Sequence, residues 1–491
     1  MWRVFGHRFR RGTLLLAVCV GVMAGLGLAR TRYSINPLYV WALLVLVIIV
    51  WRRKALTLVV LLVLLGISFG WWRGSLYMQK LDAYEPVYFQ KITLTARASE
   101  DALYGKTKQL SFAASEIVLE NGQRMTGKIQ LSGYGVNAVF HGDEVTASGK
   151  LYPGFGAYQG RMSFAVLSIT DHHPTLVAEI RREFVAGAQT ALPEPLAPFV
   201  MGLLVGQRAN LPADTKGDLQ KVGLTHIIAV SGYNLTIILQ ASRRLLGKRS
   251  KRIATILSLA LIAVFLLLAG ASASIVRAAI VSVLSIAASY YGRSFSPLSL
   301  IAFAAAITAW ANPVYIWSDL SWYLSFLAFY GVMILSPLVQ ARWPGRWHQN
   351  IIGSVALESV CAEVMSLPFV LHIFGQMSLV GLPANILVVT LVPLAMLLGV
   401  VSGLAGMLAA SFSGWITWPA NFLLTYMLDV AHIMAHLPGI FVENKALSLP
   451  AMLAIYLGIT LVTTSLWHKT RSVKADTITD IMQPKYQGLL A

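Results

Sequence analysis

Apolar runs close to 20 residues long recur along the chain, and no other feature limits its fold so strongly. "TLLLAVCVGVMAGLGLA" (13–29), "ALTLVVLLVLLGISFGWW" (55–72) and "IATILSLALIAVFLLLAG" (253–270) each approach the ~20 residues that carry a helix across a ~30 Å hydrocarbon layer. Charged residues make up 12% of the 491 and hydrophobic ones 56%, whereas a soluble domain carries about 25% charge. The chain therefore reads as a polytopic α-helical membrane protein.

The length rule gives about twelve spans. Residues 1–80 hold three: 13–29, 37–51 and 55–72. The rest are 225–242, 253–270, 273–291, 297–311, 318–340, 351–374, 379–404, 415–437 and 450–467, all within 225–468. The first is read as an uncleaved helix, because two more spans follow it and "GLGLAR" is a poor cleavage site. The net charge of +18 invites a nucleic-acid reading, but the Lys and Arg residues cluster between spans. With the N-terminus in the cytoplasm, residues 85–171 lie outside. Alternation then puts the basic loop 243–252, Arg293, Arg342, Arg346 and the tail 469–491 inside, as the positive-inside bias requires. Cys19 and Cys361 both fall in spans, which argues against a structural disulfide.

Residues 85–171 read as β. "FQKITLTARAS", "KQLSFAASEIVL", "MTGKIQLSG", "DEVTASGKL" and "SFAVLSIT" are rich in β-branched residues, with turn signals such as "ENGQ" and "YPGFGAYQG" between some of them. Five strands in a short domain fit a small β-barrel of the OB-fold kind, inserted after the third span on the extracytoplasmic side. Residues 172–224 read as amphipathic helices on the outer membrane face, or as a packed linker between two domains.

No P-loop, H-E-x-x-H or G-x-S-x-G motif occurs, so neither a catalytic residue nor a cofactor is expected. "DHHP" (171–174) lacks spaced partners for a metal site, and no metal is expected. Polar residues inside spans are the stronger signal, because an unpaired charge at mid-bilayer is costly. At 100° per residue, Asn421, Thr425, Asp429, His432 and His436 share an arc of about 80°. That stripe reads as a wet pathway or proton-binding groove, as an interhelical hydrogen-bond network or, least favoured, as a bound metal. Arg277 stands among small residues; it suits a phosphate, or pairing with Glu358, Glu363 or Asp319. In "HIIAVSGYN" (226–234), His226, Ser231 and Asn234 form no clean face, and a helix locally opened at Ser231-Gly232 accounts for them better.

"GLLVGQRANLPADTKGDLQKVGLTHIIAVSGYNLTII" (202–238) resembles the competence region of the ComEC family of DNA-uptake channels. "GASASIVRAAIV" (270–281) resembles the family's small-residue stretch, "ANPVYIWSDLSWYLSFLAFYG" (311–331) its Asn-Pro…Asp…Leu-Ser-Phe block, and "FGQMSLVGLPANILVVTLVPL" (374–394) its late Ala-Asn segment. The barrel lies where that family has an extracellular OB-fold domain. The resemblance implies passage of single-stranded DNA across the cytoplasmic membrane during natural transformation. His226, Ser231, Gly232, Asn234, Arg277, Asp319 and Asn385 occupy its motif positions. Many relatives end in a metallo-β-lactamase-like domain. This sequence stops about 20 residues after its last span and has no H-x-H-x-D-H, so the expectation is a form without it. A separate DNA receptor, nuclease and cytoplasmic motor are then implied.

Two departures bear on the DNA reading. Residues 85–171 carry eight Lys/Arg and eight Asp/Glu. The aromatics Tyr134, Tyr152, Phe155 and Tyr158 thus stand without the net basic charge usual in a single-strand groove. The carboxylates Asp319, Glu358, Glu363 and Asp429 also oppose a polyanion unless paired or protonated. A proton-coupled small-molecule transporter, with Asp429, His432 and His436 as relay, and a non-transporting membrane scaffold are the alternatives.

Overall fold

Helix formation follows the apolar runs. A computed structural model describes residues 11–31, 33, 36–50, 56–104, 109–172, 176–206, 211–228, 250–269, 273–291, 296–342, 351–408, 413–443 and 445–471. Among these, Gly12–Thr31, Leu56–Val87, Leu320–Gln340, Ala356–Phe374 and Leu449–Thr470 are long and apolar enough to cross a membrane. The pair Gly381–Val389 and Val392–Leu408, bent by 47°, makes a sixth. Pro393 sits just inside its second half, where a missing amide donor breaks the helical ladder. Pro37–Val50, Leu196–Val205, Ser274–Ala288 and Pro297–Ala311 are apolar but shorter. The chain is a multi-pass membrane protein. Of the expected span 225–242, only the turn of helix Thr225–Ile228 lies within the described residues.

The described residues fall into two compact units, 1–179 with 294–323, and 180–293 with 324–491. In the first, helices Arg11–Leu28 and Leu56–Asp82 pack together along glycines spaced by four, Gly21 and Gly25 against Gly66 and Gly70. Small residues at that spacing let two backbones approach closely in lipid. Helix Pro297–Ala311 packs on the first of these, and Ser299 Oγ donates to the Gly12 carbonyl at 3.1 Å.

The β part of this unit contains the five expected long strands: β1 (Lys91–Ala98), β3 (Leu110–Leu119), β5 (Ile129–Tyr134), β6 (Glu144–Pro153) and β7 (Gly160–Asp171). Two-residue strands β2 (Leu103–Tyr104) and β4 (Arg124–Met125) flank β3. The order is β1-β6-β7-β5-β3, and β1 also pairs with β3, so the sheet closes on itself. The β5–β7 pairing is parallel and the others antiparallel. Register shifts put one extra residue in β3 and in β7, where Glu116 and Phe164 take left-handed φ of 53° and 58°. Such bulges bend a strand and raise its twist, as closure demands. Inward residues such as Leu94, Phe112, Leu131, Val145 and Met162 fill the interior, at the period of two that a strand imposes.

In the second unit, helix Leu196–Val205 is buried on every side. The structure thus differs from the expectation of surface helices throughout 172–224. Ten consecutive apolar or small residues, "LAPFVMGLLV", leave this helix no polar face to turn outward. It packs against Thr225–Ile228, Lys251–Ala269, Val392–Leu408 and Ser413–Ala435.

Candidate functional site

Helix Ala213–Lys221 ends in a turn that the sequence encodes. Gly223 takes φ +82°, and the amide of Leu224 reaches back to the Leu219 carbonyl at 2.8 Å, a glycine-dependent helix stop. His226 follows, with Nδ1 3.0 Å from the Gly223 carbonyl oxygen. Against this turn lie Glu363, Ser378 and Gly381. A β-carbon on Gly381 would sit 3.3 Å from Glu363 Oε1, 3.6 Å from the Val222 carbonyl oxygen and 3.7 Å from Ser378 Cβ. Gly381 is what lets the carboxylate and the turn come so near.

Among the described residues, Glu363 Oε2, Ser378 Oγ, Asn385 Oδ1 and Asn421 Oδ1 are buried without a hydrogen-bond partner. An orphaned buried polar atom costs ~1–3 kcal/mol, and each calls for a water, an ion or a function. Glu363, Asn385 and Asn421 were all singled out in the sequence. Ser378 was not; it carries no local signal, since it follows a helix end and matters only through Gly223 and Gly381.

The other sequence candidates have different fates. Arg277 is 1% exposed, with its guanidinium carbon 5.8 Å from the Phe326 ring centroid, a cation–π contact in a desolvated setting. Glu358 is half-buried on the same helix as Glu363. Asp319, in the first unit, accepts from the Ser321 amide at 2.9 Å and so caps helix Leu320–Tyr330, a structural duty for an Asp at that position. On helix Ser413–Ala435 and just beyond it, Asp429, His432 and His436 are exposed. His432 Nδ1 lies 2.7 Å from Asp218 Oδ2, a partner that sequence reasoning missed. Ser231, Gly232 and Asn234 lie outside the described residues.

On the barrel, the charge balance conceals segregation. Glu100 accepts from the amide of Ala113 in β3, and Asp101 and Asp143 accept from the loop amides of His141 and Phe140, so these carboxylates are committed to the backbone. Arg97 pairs with Glu116 at 3.8 Å, whereas Lys91, Lys150 and Arg161 lie elsewhere. Tyr152 pairs across the sheet with Arg161, and Lys150 with Lys91. Lys150 Nζ and the Arg161 guanidinium stand 5.7 and 5.9 Å from the Tyr152 ring centroid, and Phe89 meets that ring edge-on at 5.8 Å. Phe89 and Phe155 are exposed, at 60% and 74%, as is Tyr134. Tyr158 is half-buried, and burial with the Glu100 and Asp319 charges pushes its phenol up to about 12.

The sequence model of the family described as "Competence protein" matches residues 203–469. ComE operon protein 3 of Bacillus subtilis (strain 168) is 26% identical over 265 residues, which cover 52% of this chain and 33% of that relative. The match thus spans about a third of the relative's length. No solved structure matches.

Proposed function

The chain belongs to the competence protein family, and from that membership we propose that it is a channel passing single-stranded DNA across the cell membrane during natural transformation. The observation that carries the reading is the location of the orphaned polar atoms. Glu363, Ser378, Asn385 and Asn421 all fall within the matched residues, on or beside largely apolar helices. A path for a hydrated polyanion needs polar groups not already spent on the protein's own hydrogen bonds, and lining polarity sets channel selectivity. In this reading His226, Arg277, Ser231, Gly232 and Asn234 belong to the same pathway, and the count of spans is about twelve, with both termini cytoplasmic.

The closed five-stranded barrel, with its parallel β5–β7 pairing, supports an OB-fold reading. Its Tyr152–Phe89 face, flanked by Lys150 and Arg161, is the surface for incoming single strands: aromatic stacking with nearby cations suits any base sequence. In this reading its partners are a DNA receptor, a nuclease and a cytoplasmic motor. The test is deletion of the gene followed by exposure to labelled duplex DNA. Internalised single-stranded label disappears while surface-bound duplex remains; undiminished internal label rejects the channel.

A further inference from the structure

Two histidines one helical turn apart close the exposed end of helix Ser413–Ala435. His432 and His436 face each other, with ring centroids 4.3 Å apart and tilted by 51°. His436 Nδ1 lies 2.8 Å from the His432 carbonyl oxygen. That contact requires the proton on Nδ1 and leaves Nε2 with a free lone pair. Asp218, on helix Ala213–Lys221, meets His432 Nδ1 at 2.7 Å, and its own side chain is only 13% exposed. One ligand atom from each of the three side chains lies within 4.8 Å of the others.

We propose that Asp218, His432 and His436 form a binding site for one divalent transition-metal ion of the zinc class. Histidines at i and i+4 present their rings to one point on a helix flank, the spacing used by helical zinc sites. Zinc takes imidazole nitrogen and carboxylate oxygen at ~2.0–2.2 Å in tetrahedral array, and three protein ligands leave one position for water. Side-chain rotation closes the observed spread around such an ion. A carboxylate beside a ligating imidazole also fixes its tautomer and orientation. The ion clips helix Ala213–Lys221, which leads into the Gly223–His226 turn, to a helix 214 residues further along the chain. The site is independent of what passes through the membrane.

The experiment uses the tag-free full chain in detergent, dialysed against buffered Zn2+, with Co2+ as a visible substitute. The wild type binds one more equivalent than the His432→Ala/His436→Ala double variant. His436→Ala alone weakens the site at least tenfold, and Asp218→Asn weakens it ~10–100-fold. His468→Ala, at an exposed histidine on another helix, leaves it intact. Circular dichroism checks that each variant is folded. One equivalent of Co2+ on the wild type gives the ligand-field bands of nitrogen and oxygen ligation. Equal Zn2+ uptake by wild type and double variant, or no such bands on the wild type, overturns the proposal and leaves a plain His–Asp ion pair.

Discussion

A β-carbon built on Gly66 would lie 3.0 Å from the Cα of Gly21. Helices Arg11–Leu28 and Leu56–Asp82 therefore meet backbone to backbone, with no space for a side chain between them. Gly66→Leu forces them apart, and overpacking of this kind costs about 1–3 kcal/mol. The expected outcome is a lower melting transition of the detergent-solubilised protein. Gly27→Ala, at a position with open space around it, should leave the transition where it is.

Asn385 and Glu363 separate polarity from charge. Asn385→Leu removes an orphaned amide oxygen from the proposed pathway, and uptake of labelled DNA per unit of membrane-inserted protein should fall at least tenfold. Glu363→Gln keeps a polar side chain of the same shape while removing a charge that opposes a polyanion, so uptake should be retained or rise. Loss of uptake in Glu363→Gln, with retention in Glu363→Asp, would assign the work to the carboxylate instead.

The barrel face makes a third prediction. Stacking of a base on an aromatic ring is worth ~1–3 kcal/mol, so Tyr152→Ala should weaken binding of a fluorescent single-stranded oligonucleotide to the full chain by roughly tenfold. Lys150→Ala and Arg161→Ala should each lower the salt dependence of that binding by about 0.7 in log–log slope. Anisotropy titrations over a range of salt concentrations measure both effects.

Tyr158 links fold to pH. Its phenol is raised to about 12, chiefly by burial, from an ordinary value of about 10. The folded state holds its proton more tightly than the unfolded chain does. The associated stability is therefore complete below about pH 10 and is lost as pH rises through 12. Tyr158→Phe should blunt the alkaline loss of stability between those limits. In a spectrophotometric titration, the variant should lack one late-ionising tyrosine.

Up to six of the expected spans and the five strands were legible because length and period-two alternation are local properties. Asp319 looked like a pore carboxylate, yet it ends up capping a helix; "SDLS" carries that cap signal, and its chemistry competes with a functional reading of the same residue. Asp218 was invisible, because its meaning depends on a histidine 214 residues away. A charge count over 85–171 hid the basic face, since Lys150 and Arg161 come from neighbouring strands and three carboxylates are committed to backbone amides. Gly381 stood in a recognised motif, but only the fold reveals that it makes room for Glu363 beside Gly223.

The membership of residues 294–323 in the first unit has a consequence for synthesis. Helix Pro297–Ala311 completes the packing begun by Arg11–Leu28, yet residues 180–293, which belong to the other unit, are translated in between. At roughly 5–20 residues per second, the first helices and the barrel wait on the order of ten seconds for their last partner to leave the ribosome. No single cut in the gene separates the two units, and a message truncated before codon 323 leaves both of them unfinished.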